Sequence, residues 1–570
     1  GAFSDFDKIH TDSDTVLILN DNTNISTEGP MEIGGLKLNN FALTLGSATT
    51  DLTINTALKL ESAGSQLITN GADLNLPYPL QLNVGQITST GGTVTLTQGA
   101  TLANGSTLDL SGTTLKLQDD LSAENGDFIT NDSSILHLLD DVTVTFNGEK
   151  TFKTLEHNGN NLTLGNEDTD LKLLDPLELS FVTIYTGDAD LNLQETLTLG
   201  SNSWLDSSGG KLTIGGTVDS TSGVTLVGTE LALQSDLAIY GTLSTDSGST
   251  ISRNTLELNL SGGLLKLAGD LELAGTITDE TTKLTLQSDS MLTSQDGWTY
   301  KFGTLDLNGS ALSVKMAMSI NEPLILDAAG EQILTGTSGL TLNDSLAISA
   351  GKLSSQSGLI SFGSTANLGT DGIIEIQDGT LQLSDNLSIE GGKFNLADLA
   401  ELNLNNDVSI TSDRALIFGT LEMNNRNLKV TTTEDAELNI KKAFNLNNAS
   451  NLQLNGTNLT FSETAAIAGI LEPSGGTLTF QKGGSVSGTI NSKNSTLVLQ
   501  TENLVYTGLL KTNSGTTLSG ANLLNLSNGT LEVEGSINLD NVTTSNSTVL
   551  KLNTDTTITK NALLTLGSVN

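Results

Sequence analysis

A short phrase recurs along the chain: two apolar positions flanking one free position, three polar or turn residues, then a second apolar-x-apolar pair. It reads Leu115-Lys116-Leu117-Gln118-Asp119-Asp120-Leu121-Ser122-Ala123, and 21 residues later Leu136-His137-Leu138-Leu139-Asp140-Asp141-Val142-Thr143-Val144. Leu115 falls over Leu136, Leu117 over Leu138, Asp120 over Asp141 and Leu121 over Val142. Alternation with period two is the mark of a strand with one buried face. Strands this short hide that face only by lying on an identical strand one turn later, so the phrase predicts a parallel β-solenoid. The polar trio is a corner, where Gly, Asn and Asp supply positive φ or a side chain that bonds its own backbone.

The phrase starts at Leu52, Leu74, Val94, Leu115 and Leu136, then at Leu171, Leu191, Leu212 and Leu231, and again at Leu340, Ile360, Leu381 and Leu402. Between these runs it slips by a residue or two, as at Leu284 and Leu497. The stretches around Asn147–Asn160 and Trp298–Asn308 read as corner insertions. A turn of this length leaves room for three short sides. The expectation is all-β: a right-handed parallel β-helix of roughly 20–21 residues per rung, with about 26 or 27 rungs.

The repeat overrides the several domains that 570 residues would otherwise suggest. One continuous β-helix is expected over 15–570, preceded by a segment, 1–14, that carries Phe3, Phe6 and Ile9 and acts as a cap or as an end-to-end contact. Aromatic residues are 4% of the chain, so the interior must be stacked Leu, Ile and Val. The six prolines (Pro30, Pro77, Pro79, Pro176, Pro323, Pro473) are expected at corners, since proline in a strand removes a ladder bond.

Sixty-five acidic against 25 basic residues give a net charge of −40. This excludes nucleic acid as a partner, which needs Lys and Arg to replace counterions, and disfavours an anionic lipid surface. No run of about 18 apolar residues offers a membrane span. The absence of cysteine suits a bacterial exported protein better than a secreted eukaryotic one. The chain begins at Gly1, and processing after export is the expected origin of that end. Leu563-Leu564-Thr565-Leu566 is still strand-like where the sequence stops, and an open final rung is a template for pairing. Head-to-tail or lateral self-association is therefore expected.

Candidate chemistry is thin. Pectin-degrading hydrolases of the β-helix fold carry Asn-Thr-Asp, Asp-Asp, Gly-His-Gly and Arg-Ile-Lys in that order. Here Asn553-Thr554-Asp555 and the Asp119-Asp120 and Asp140-Asp141 pairs occur in the wrong order, and the last two motifs are missing. Three Arg (Arg253, Arg414, Arg426) and three His (His10, His137, His157) are scattered, and His137 points outward as a surface residue. No catalytic, cofactor-binding or metal residue is put forward, and the chain is not expected to be an enzyme. The acidic corners Asp119, Asp120, Asp140 and Asp141, like Asp385 and Asp407, are read as solvated turn residues, with Ca²⁺ as the one cofactor that stacked carboxylates there could take. Trp204, Trp298 with Tyr300, and Tyr78 between two prolines are the aromatic residues that could stack on sugars, against the plainer reading that they fill shoulders of the rod.

The Leu-x-Leu, Gly- and Asn-rich, cysteine-free rungs of about 20 residues resemble bacterial exported β-helices, namely filamentous-haemagglutinin-like exoproteins and autotransporter passenger domains. The resemblance is one of pattern over nearly the whole chain. The chain departs from it in two respects: no C-terminal region reads as an outer-membrane barrel, and the Asn-Pro-Asn-Gly motif of two-partner secretion is missing. The resemblance implies an extracellular or cell-surface β-helix that serves construction or adhesion. The expected role is a structural rod that builds a filament, sheath or layer. The alternatives are an adhesin that binds glycans or a host surface through loop insertions, and a polysaccharide-degrading enzyme.

Overall fold

The structure, a computed structural model, describes residues 12–27, 29–253, 255–433, 436–500, 504–513, 515–520, 524–540, 542–553 and 555–570. Most of the 1–14 segment, with Phe3, Phe6, Ile9 and His10, lies outside the described residues, as does Thr554. The described chain is all-β, without a helix, and its short strands stack in parallel as a β-solenoid. It divides into two compact units, 1–282 and 283–570, described separately below.

In the first unit each turn contributes one strand to each of three ladders. One ladder rises from Thr23–Ile25 to Asp127–Ile129, a second from Met31–Ile33 to Thr154–Glu156, and a third begins at Leu58–Leu60. The register agrees with the phrase. Leu52 pairs with Leu74, Leu74 with Val94, Val94 with Leu115 and Leu115 with Leu136. Leu171, Leu191, Leu212 and Leu231 pair in the same succession. Every one of these side chains is buried, and the residue between each pair faces out. A column of like Leu side chains therefore fills the interior, and each rung covers the one before it.

One match fails. Leu121 pairs with Val144 rather than Val142, because strand Val142–Phe146 starts two residues early, and Val142 pairs onward with Leu162. The slip seats Phe146 opposite Ala123. There Phe146 joins Phe128 and Phe152, with ring centroids 5.7 Å and 6.3 Å from that of Phe128. The cluster fills the core where the first ladder stops at Asp127–Ile129 and a new one starts at Lys150–Phe152.

The same handover corrects the two expected insertions. Asn147–Asn160 contains strands Lys150–Phe152 and Thr154–Glu156, and Trp298–Asn308 contains Thr299–Phe302 and Thr304–Asp306. Their inward residues include Phe152, Tyr300 and Phe302, all buried, so a search for Leu-x-Leu passes over them. Further along the first unit a corner straightens. Strand Lys211–Val218 pairs with both Leu191–Leu193 and Leu197–Leu199, bending at Gly215-Gly216. A Cβ on Gly216 would strike the Leu197 carbonyl oxygen, so the bend requires glycine there.

The second unit repeats the scheme. Leu340, Ile360, Leu381 and Leu402 pair in succession. A 13-stranded ladder runs from Leu324–Leu326 to Ser568–Val569. Five prolines lie outside strands, as expected, but Pro473 sits buried within strand Ile470–Ser474. Its missing N–H interrupts the ladder. Pairing to the next rung holds at Ile470 and Leu471 and resumes only as a bridge from Ser474 to Lys493. The interior is also more aromatic than composition suggests, with Phe444, Phe461 and Phe480 stacked at 5.3 Å and 5.1 Å.

Phe146→Ala should cost about 3–5 kcal/mol locally, because it empties the centre of the aromatic cluster. Outward-facing Thr145→Ala should stay within about 0.5 kcal/mol. Hydrogen exchange of the 127–152 amides checks both, and equal exchange in the two variants would contradict the assignment.

Candidate functional site

The corners were the first place to look for chemistry, and their carboxylates have a structural task. An Asp or Asn just before a strand accepts the backbone N–H at the matching position of the next rung. Asp51 Oδ1 takes the N–H of Asp73 at 2.9 Å, and Asp73 Oδ1 that of Thr93 at 2.7 Å. Asp170 takes Asp190 at 2.9 Å, and Asp190 takes Lys211 at 2.7 Å. Asp407 takes Asn427 at 2.8 Å, and Asn427 takes Asn451 at 3.0 Å. These donors are the ones a turning chain would leave unpaired. Buried hydroxyls serve a neighbouring corner: Thr69 Oγ1 donates to Ser89 Oγ, Thr113 Oγ1 to the Ser89 carbonyl, and Ser134 Oγ to the Leu110 carbonyl.

The four acidic residues singled out from sequence belong to this system. Asp120 Oδ1 accepts from Thr143 at 2.6 Å, and Asp141 Oδ1 from Asn161 at 2.7 Å. Asp119 and Asp140 each accept the N–H of the following residue, at 2.8 Å and 2.9 Å. The two-residue slip places Asp120 beside Thr143, so Asp120 and Asp141 do not stack as the matched phrase implied. Among the described residues no group of three or more His, Asp or Glu is arranged to hold a metal ion.

His137 does point outward, but it is not free in solvent. It is only part exposed, with Nδ1 2.6 Å from the Glu156 carboxylate and Nε2 2.6 Å from Asn158 Nδ2. His157 lies one corner away, with Nε2 2.9 Å from the Glu178 carbonyl oxygen and Nδ1 accepting the Gly159 N–H. Both rings are thus engaged in rung-to-rung contacts.

The aromatic candidates separate. Tyr300 is core, its hydroxyl bonded to Asp296. Trp298 and Tyr78 are exposed at corners. Trp204 is half-buried on a sheet face and lies across Gly223 of the next rung.

The terminal rungs carry the other distinctive geometry. In the first unit, strand Val16–Ile18 pairs in parallel with Gly35–Lys37. Its other edge pairs with nothing among the described residues, and Val16 and Ile18 are half exposed. In the second unit, among the described residues, Ser568–Val569 pairs only with Val549–Leu550. Leu552 and Val569 are exposed there, and Leu563 is 88% exposed. No family model, curated protein or solved structure matches this chain.

Two corner carboxylates should respond oppositely to acid. The backbone and side-chain N–H groups of Asn427 hold the Asp407 carboxyl below the usual carboxylate range. Burial pushes the Asp190 carboxyl up, assisted by neighbouring Asp170 and opposed by the Lys211 N–H. Asp407 thus stabilises the fold at neutral pH, and that contribution is lost as pH falls through its lowered pKa. Ionised Asp190 opposes the fold, and acid relieves it. At neutral pH Asp407→Asn should lower the melting temperature. Asp190→Asn, which keeps an oxygen acceptor for Lys211, should leave it unchanged or raise it. The Asp190→Asn difference should close as pH falls through the ordinary carboxylate range, whereas the Asp407→Asn difference should persist to lower pH and close only below the lowered pKa of Asp407. Melting curves across this range check the signs.

Proposed function

We propose that this chain is a structural, non-catalytic β-solenoid that works at an extracellular surface, in a bacterial setting, and assembles end to end. The observation behind this reading is the outermost described strand at one end of each unit, Val16–Ile18 and Ser568–Val569: among the described residues the outer edge of each pairs with nothing, and Val16, Ile18, Leu563 and Val569 are exposed beside them. An unpaired ladder edge is the template that ordinary sheet proteins blunt.

The two edges of a parallel ladder are unlike, since every rung meets its predecessor with one and its successor with the other. A second copy continues the ladder only head to tail. Such a contact is heterologous, and where it does not close into a ring it produces a filament. The net charge of −40 favours a small contact over a broad one, because like-charged copies repel over every surface they share. Salt shortens the range of that repulsion and should help assembly.

Negative-stain microscopy and sedimentation over a concentration series test the proposal. Filaments or a ladder of oligomers should grow with concentration and with salt. Leu563→Lys and Val16→Lys, one in each unit, should each reduce assembly by roughly tenfold or more in apparent affinity, because each places an unpaired charge in an apolar contact. A monodisperse monomer throughout would overturn the proposal, and so would assembly indifferent to both variants.

A further inference from the structure

Phe181 is the one residue other than Asn and Gly with positive φ among the described residues, at φ 60°. A bulky side chain is an outlier in that region, and a fold keeps such strain only where something repays it. The core does not repay it, since Phe181 is 68% exposed.

Phe181 lies at the corner between strands Leu177–Leu179 and Thr183–Gly187. The succession Leu179, Leu199, Val218, Ile239 brings Tyr240 to the same corner three rungs later. At about 4.8 Å per rung the two are roughly 14 Å apart along the axis. On the adjoining face Thr183, Trp204, Gly223 and Thr242 form one column, and Tyr185, Asp206, Thr225 and Ser244 the next. The Trp204 indole leans across Gly223, where a Cβ would collide with its Cζ3, so glycine makes room for the ring to lie along the face. Among the described residues five aromatic side chains are exposed, and three of them, Phe181, Tyr185 and Tyr240, fall within these four rungs around Trp204.

The rings are set among hydroxyls and two carboxylates, Asp206 on the face and Asp219 at the corner one rung before Tyr240. The two columns hold no Lys or Arg until Lys266, one rung beyond Ser244. A protein partner would favour a continuous apolar centre. An acidic polymer would need cations. A neutral sugar chain presents C–H faces for aromatic rings and hydroxyls for Thr, Ser and Asp, which is the mixture this face displays. We propose that Phe181, Tyr185, Trp204 and Tyr240 form a binding face for a neutral polysaccharide laid along the solenoid axis. This site stands independently of the end-to-end assembly.

Native affinity electrophoresis of the full chain tests it, with hydroxyethylcellulose, dextran and galactomannan as neutral probes and polygalacturonate as the acidic one. At least one neutral polymer should retard the protein. The double variant Tyr185→Ala/Tyr240→Ala, which removes only exposed rings, should weaken retardation roughly tenfold or more without changing the melting curve. Phe181→Gly should raise the melting temperature, by relieving the backbone, and yet weaken binding; a ring with no ligand would show only the first effect. Trp204→Ala should abolish retardation. If that variant fails to fold, the double variant and Phe181→Gly decide alone. The proposal falls if no neutral polymer retards the protein, if only polygalacturonate does, or if the variants bind as wild type does. It also falls if the same variants abolish self-association without polysaccharide, which would make the face a protein contact.

Discussion

The structure depends on one constraint: a strand of three or four residues can hide its apolar side chains only beneath the next copy of itself. A column such as Leu52, Leu74, Val94, Leu115 and Leu136 is therefore at once the core and the rule that sets the register. Among the described residues cohesion is local, from each rung to the next or next but one. The same dependence means that an outermost rung has one side that only a further strand or a cover can hide.

Corners are the cost of turning every few residues, and this chain meets it with polar side chains reaching from one rung to the next. Left-handed Asn39, Asn70 and Asn424 each donate their amide to a carbonyl of an earlier rung, that of Leu19, Leu45 and Leu404. Asp120, Asp141 and Asp407 accept from the rung above. Acceptors for backbone N–H groups are most effective when ionised, and so the acidic bias of the chain arises in part from its architecture. The corner carboxylates read from sequence as solvated turn residues hold backbone donors of the next rung.

The two surfaces singled out for function are of different kinds. The edges of the outermost described rungs follow from repetition, since each rung offers a pairing edge to the next. The aromatic face is a departure from repetition, since nothing in the rung-to-rung rule calls for Phe181 at positive φ or for an indole lying across Gly223. Departures from a repeat that the core does not use are where a repeat protein acquires individual properties.

By itself the sequence determined the strand class, the parallel stacking and most of the register, because apolar alternation with a step near 21 residues admits few other folds. It also placed proline correctly at five corners. The tertiary structure alone decided what depends on corner length. Two extra residues before Val144 pair Leu121 with Val144 and move Asp120 away from Asp141. The buried Pro473 and the strands hidden in Asn147–Asn160 and Trp298–Asn308 were obscured because Phe, Tyr and Pro take inward positions usually held by Leu. The aromatic face was invisible for a different reason, since its rings point outward and only the corner lengths bring them to one face. Phe181 and Tyr240 are 59 residues apart in sequence and meet at one corner only because three unequal turns bring them there. Periodicity records which way a side chain points, whereas the sum of the corner lengths settles what it stands beside.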